Sequence, residues 1–269
     1  IYTKPWLVMV EVLTMSTILK VNQKMSDAEW QVRCDLAACY RLFVKFGWTD
    51  LIFTHLTARV PGHENQYLIN PYGLLFEEIT ASNLLKVDFD GNVISGDYPY
   101  NDAGHYIHTA VFKARPDINV LLHSHTRAGI AVSCMKMGLL PLSQQAGEIQ
   151  DLVCYNHYGV ASKDHPEYCH QLGQDMADKW LMIMHNHGLL AAGRTVGEAF
   201  YFLYMLETSC KIQTDIVSSG VDFHLPDAAS VGELAKTTAP SGDQPCNDVN
   251  IAWQAMIRLQ NRLDPSYKN

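Results

Sequence analysis

The sequence is poor in positive charge: 20 Lys and Arg stand against 28 Asp and Glu in 269 residues, a formal net charge of −8. With no basic surplus to neutralise a phosphate backbone, nucleic acid is not an expected partner. The seven cysteines, at 34, 39, 134, 154, 169, 210 and 246, are odd in number and form no CxxC pair. That usage argues against a disulfide framework and for reduced thiols serving as small core residues, which points to the cytoplasm. There is no G-x-G-x-x-G or P-loop, no internal repeat and no low-complexity tract. The opening "IYTKPWLVMVEVLT" is apolar but short, interrupted by Glu11 and without a small-residue cleavage pattern. Neither a signal peptide nor a membrane span is expected there, and Met15 is a candidate start.

What is present is the material of a packed core. Hydrophobic residues make up 48% and charged residues 18%, a globular composition at a length one large α/β domain can reach. Ser26 with Glu29 three positions on reads as a capping box opening an amphipathic helix that closes at Gly47. "DLIFTHLTARV" and "NQYLIN" read as a hairpin over residues 50–70, and "LLKVDFDGNVISG" as a second one turning at Asp90-Gly91. "AGHYIHTAVFKARPD" reads as a helix that stops before Pro116, "INVLLHSH" as a buried strand, and Thr126 as the cap of a helix over "RAGIAVSCMKMG". "KWLMIMHNHGLLAAG" is a strand pair broken at Gly188, followed by a long helix capped by Thr195 and Glu198. "FYFLYMLE" within that helix reads as core. Residues 1–25 are set aside as an N-terminal extension, 26–225 as the main domain, and 226–269 as a loop plus a docking helix running from Val249 to Leu263.

The candidate chemistry lies in histidines. In "NVLLHSHTRAG" strand alternation puts His123 and His125 on one face while Ser124 turns away. Two imidazoles on one face, joined by His187 from the "HNHG" segment, supply the three ligands of an open catalytic site. The expected ion is divalent, Zn²⁺ first, with Mn²⁺ or Fe²⁺ also admissible.

Three blocks, "HLTARVPGHENQYLINPYGLLFEEITASNLLKVDFDGNV", "AGHYIHTAVFKARPDINVLLHSHTRAGIAVSCMKMGLLPLSQQA" and "HNHGLLAAGRTVGEAF", resemble the class II aldolase/adducin family, in the phrasing of the adducin head. The resemblance is collinear over about residues 26–220. It implies a three-layer α/β/α sandwich around a mainly antiparallel central sheet, a homo-oligomer (tetramer or dimer) with sites at subunit interfaces, and a metal held by the positions matching His123, His125 and His187.

Departures from the family pattern shape the expected reaction. Family aldolases carry an acid nineteen positions before the first metal histidine, and here that position is Gly104. His105 and Glu148 are candidate substitutes, each with a plain alternative as surface or loop polarity. The family's phosphate cradle is matched by Thr54-His55 and Asp102-Ala103, and an aspartate would repel a phosphate. The expectation is therefore a metal-dependent lyase, cleaving a small non-phosphorylated hydroxy or keto substrate through an enediolate, with His105, His55 and Glu148 as candidate proton-handling residues. Two alternatives stand beside it: a non-catalytic, adducin-like assembly module, and an oxygen-using ferrous enzyme. His108, Gly73 and the aromatic residues Tyr155, His157 and Tyr158 are read as packing or turn residues.

Overall fold

The computed structural model describes residues 25–157, 159–238, 240 and 247–269. The N-terminal extension up to residue 24, Tyr158, Cys246 and part of the 226–248 stretch lie outside them.

Eight strands form one sheet: β1 (Leu56–Arg59), β2 (Gln66–Ile69), β3 (Leu85–Asp88), β4 (Val93–Ser95), β5 (Val120–Ser124), β6 (Val153–Asn156), β7 (Leu181–Met184) and β8 (Gly188–Gly193). Their order is β4-β3-β2-β1-β5-β8-β7-β6. Every neighbouring pair is antiparallel except β6 with β7, so the sheet is mixed but mainly antiparallel.

Helices cover both faces. On one lie α1 (Asp27–Phe46), α3 (Arg127–Ser133) and α6 (Val196–Ser219), which pack on the central strands. On the other lie α2 (Asp102–Ala114) and α5 (Pro166–Met176), packed against each other. Alternation along β1 shows the two faces: Leu56 and Ala58 are buried in the core, while the Thr57 hydroxyl meets His108 Nδ1 of α2 at 2.6 Å. The expected three-layer α/β/α sandwich is the observed architecture. The helix running Asn247–Leu263, α8, packs on α1 and α6, with Trp253 against Phe200 at 5.7 Å between ring centroids.

Three local features differ from the sequence reading. The strand expected from Asp50 begins only at Leu56, because Leu51 and Thr54 take left-handed backbone (φ 49° and 69°) and residues 50–53 turn on themselves. The helix after Thr126 ends at Ser133, with Gly138 (φ 65°) turning the chain shortly after. Within the stretch read as a linker, "AASVGELAKTT" forms helix α7 (Ala228–Thr238), which packs on α4 (Gln144–Ile149). Its helix-forming residues outweigh the flanking Pro, Gly and Ser that suggested a loop.

Both capping boxes form only half of the expected exchange. Glu29 N–H donates to Ser26 Oγ and Glu198 N–H to Thr195 Oγ1, each at 3.1 Å. The two carboxylates are drawn elsewhere. Glu198 accepts from the Arg194 backbone N–H at 2.7 Å and from its guanidinium. Glu29, 3% exposed, accepts from Arg33 Nε at 3.0 Å and Lys86 Nζ at 2.6 Å, while Arg33 Nη1 donates to the carbonyls of Ala81 and Leu84. Removing one member of a buried ionic group strands the others without compensation. Glu29→Ala is therefore expected to lower unfolding stability by about 3–5 kcal/mol in urea titration; a loss below about 1 kcal/mol would show that Arg33 and Lys86 find other partners.

Candidate metal centre

The three histidines reach one place from two chain segments. His123 is the penultimate residue of the buried strand β5, His125 follows where the strand leaves the sheet, and His187 sits in the turn between β7 and β8. Their ligand atoms all lie within 4.8 Å of one another. Ring centroids are 4.6 Å apart for His123–His125 and 4.9 Å for each of them to His187.

The turn that carries His187 depends on two backbone conditions. Asn186 is left-handed (φ 56°), a conformation asparagine tolerates better than other non-glycine residues. Gly188 lies so close to β5 that a Cβ there would meet the Ser124 carbonyl oxygen at 2.3 Å and His125 Cδ2 at 3.1 Å. The sequence reading took Gly188 as a strand break; it is the point where two strands close on each other.

Hydrogen bonds fix which nitrogens face inward. His123 Nδ1 donates to the Leu189 carbonyl at 2.9 Å, and His125 Nδ1 donates to Asp50 Oδ2 at 3.0 Å. In neutral rings the Nε2 atoms then carry lone pairs, and those two atoms stand 2.8 Å apart. Two lone pairs turned on each other repel unless a proton or a metal cation lies between them, and a donor set of this kind fits a divalent ion. Burial, with the neighbouring rings adding to it, holds the His123 imidazole well below its ordinary pKa. His187 is pushed down to about 4 by burial and then by His125. Rings that stay neutral at physiological pH are ready to ligate.

The sequence-predicted proton-handling residues are scattered. His55 lies beside the triad: its ring is 5.3 Å from that of His123 and 4.2 Å from that of His108, and its carbonyl accepts the His123 N–H at 3.2 Å. It is 2% exposed, and neither ring nitrogen has a partner among the described residues. Gly104 makes room for it, since a Cβ there would come within 2.7 Å of the His55 ring. His105 turns away, its Nδ1 paired with Tyr67 Oη at 2.8 Å and its ring near Tyr100. Glu148 stands on α4, where its carboxylate accepts from Gln144 Nε2 at 2.8 Å and from the Thr238 hydroxyl of α7 at 3.3 Å. Asp102 and Ala103 are exposed at the start of α2.

Two carboxylates at the centre escaped sequence reading. Asp50 lies in the turn before β1, and no motif links it to a histidine 75 residues on. Glu207 sits in α6, where a lone acid inside the apolar "FYFLYMLETSC" was the available signal. It is fully buried and accepts from Ser124 Oγ at 2.9 Å and from Thr126 Oγ1 at 2.6 Å.

The class II aldolase and adducin N-terminal domain model matches residues 34–214. The chain belongs to that family. A crystal structure of an aldolase II superfamily protein from Pseudomonas syringae superposes with a TM-score of 0.85 at 42% identity, covering 92% of this chain and 98% of that one. L-fuculose 1-phosphate aldolase from Glaciozyma antarctica superposes with a TM-score of 0.77 at 26% identity, covering 90% and 93%. Alpha-adducin from Mus musculus is 41% identical over 191 residues, which are 70% of this chain but 26% of that protein. Among the described residues no helix is long and apolar enough to cross a membrane.

His187→Ala is expected to abolish retention of a divalent ion in elemental analysis while leaving the far-ultraviolet circular dichroism unchanged. Full metal content in that variant would remove His187 from the ligand set. Asp50→Asn, which leaves His125 Nδ1 a weaker acceptor, is expected to weaken metal affinity by about 10–100-fold in chelator competition.

Proposed function

We propose that this protein is a metal-dependent carbon–carbon lyase acting on a small hydroxy or keto compound that carries no phosphate. The observation that carries the proposal is the pair of inward Nε2 atoms 2.8 Å apart, each ring's other nitrogen already committed. Membership of the class II aldolase and adducin family and the likeness to a fuculose-phosphate aldolase support the reaction class.

In this reading His123, His125 and His187 hold the ion, Zn²⁺ or alternatively Mn²⁺ or Fe²⁺. When bound, such an ion polarises carbonyl and hydroxyl oxygens and stabilises negative charge that develops on them during cleavage or decarboxylation. Asp50 keeps His125 in the tautomer that points Nε2 inward. His55, its ring 5.3 Å from that of His123 and neither nitrogen partnered among the described residues, serves the substrate side of the centre. His105 and Glu148, engaged with Tyr67 and with Gln144 and Thr238, act in this scheme as supports rather than at the reacting atoms.

The residues around α2 support a substrate without phosphate. An imidazole at position 55 fills the space against Gly104, and Asp102 adds negative charge to the helix start where an anion would otherwise be favoured. A homo-oligomer acting in the cytoplasm fits this reading, as does independence from nucleic acid and membranes.

Gly104 also favours a second reading, an adducin-like assembly module. The position that bears an acid in family aldolases has no side chain, and the space is closed by His55. One experiment separates the two. Zn²⁺-, Mn²⁺- or Fe²⁺-loaded protein is incubated with a panel of 2-keto and 2-hydroxy acids, sugars and their phosphates, and cleavage or decarboxylation products are followed by NMR. Turnover of a non-phosphorylated member, lost on chelation and in His123→Ala, is the expected result. A stoichiometric metal with no turnover on any member would favour the module, and preference for a phosphate ester would contradict the substrate class.

A further inference from the structure

Glu207 is a buried carboxylate whose partners are hydroxyls. Among the described residues it forms no ion pair, although burial disfavours its charge. A lone acid at 0% exposure is costly to keep in a helix that is otherwise core, and well-packed apolar residues usually serve such a position better. What it grips is specific. Ser124 separates His123 from His125, and Thr126 follows His125, so Glu207 holds both neighbours of His125 from the opposite face of the strand.

Each of those neighbours has a second task. The Thr126 hydroxyl, while donating to Glu207, accepts the Gly129 N–H at 3.1 Å and so caps α3. The Ser124 carbonyl is the atom against which Gly188 closes, bringing the His187 turn up to β5. A shift of Ser124 and Thr126 therefore moves all three imidazoles relative to one another: His123 and His125 through the strand, His187 through the Gly188 contact.

We infer that Glu207 is a positioning residue of the metal centre, clamping the β5 exit through Ser124 and Thr126 so that His123, His125 and His187 converge on one ion. This rests on the metal reading given above. It acts through hydroxyls behind the strand, whereas Asp50 acts directly on one ligand.

The test uses the full chain loaded with Co²⁺, whose visible absorption reports ligand number and geometry without any assay of activity. Glu207→Gln, Ser124→Ala and Thr126→Ser are compared with the unaltered protein by chelator competition, by the Co²⁺ spectrum and by melting of the metal-free form. Glu207→Gln is expected to bind Co²⁺ about tenfold or more weakly, with a shifted spectrum. Ser124→Ala should lose several-fold, and Thr126→Ser, which keeps the hydroxyl, should match the unaltered protein.

A fall in melting temperature with unchanged Co²⁺ affinity and spectrum would overturn the inference, because that is what a purely structural carboxylate gives. If Glu207→Gln does not fold, Ser124→Ala decides on the same readouts. If the unaltered protein binds no Co²⁺, the metal reading fails and this inference with it; if it binds normally and the variants do too, only the inference fails.

Discussion

The closure of Gly188 onto Ser124 is the contact on which the centre depends. Antiparallel pairing of β5 with β8 aligns Ser124 with Leu189, and the missing side chain at 188 lets the incoming turn press against the Ser124 carbonyl. Without that approach His187 would not be brought up to His123 and His125. The sheet order matters for the same reason: β5 lies between β1 and β8, so it is the strand that can receive His55 from one side and His187 from the other.

Around this contact, polar groups are buried in a pattern that ordinary packing does not require. His55, His108 and His123 form a run of neighbouring rings from the candidate metal centre toward α2, all fully or almost fully buried. Backbone strain is gathered nearby. Of the four non-glycine residues with left-handed backbone among the described residues, Leu51 and Thr54 lie between Asp50 and His55, and Asn186 adjoins His187. Each such residue costs on the order of 1–2 kcal/mol, and functional sites are where that cost is tolerated. The exposed Leu51 and the buried Thr54 hydroxyl, without a partner among the described residues, extend the same cluster.

The candidate ligand histidines were legible as a cluster because they obey short-range geometry. His123 and His125 share a face by the two-residue period of a strand, and "HNHG" at a strand break marks a turn that can return. Most of the sheet and the helices α1, α2, α3 and α6 followed from periodicity, capping residues and the resemblance of three blocks, whereas β6, α4 and α5 were not read from the sequence. Asp50 and Glu207 were not legible in the same way, since their partners lie 75 and about 80 residues away in the chain and only register brings them together. His105 was singled out because it adjoins Gly104. On a helix, however, adjacent residues point about 100° apart whereas residues four apart share a face, so His105 turns to Tyr67 of β2 while His108 lies with Gly104 beside His55. Helix α7 was hidden by its Pro- and Gly-rich flanks, which dominated a composition reading.

In the proposed centre three imidazoles share one divalent ion and leave coordination positions free. X-ray absorption at the Zn edge of the Zn²⁺-loaded protein addresses it directly. The expected spectrum fits three histidine nitrogens at about 2.0–2.1 Å plus a light donor from solvent. A fit to fewer than three imidazoles, or to a closed shell with a sulfur ligand at about 2.3 Å, would contradict it.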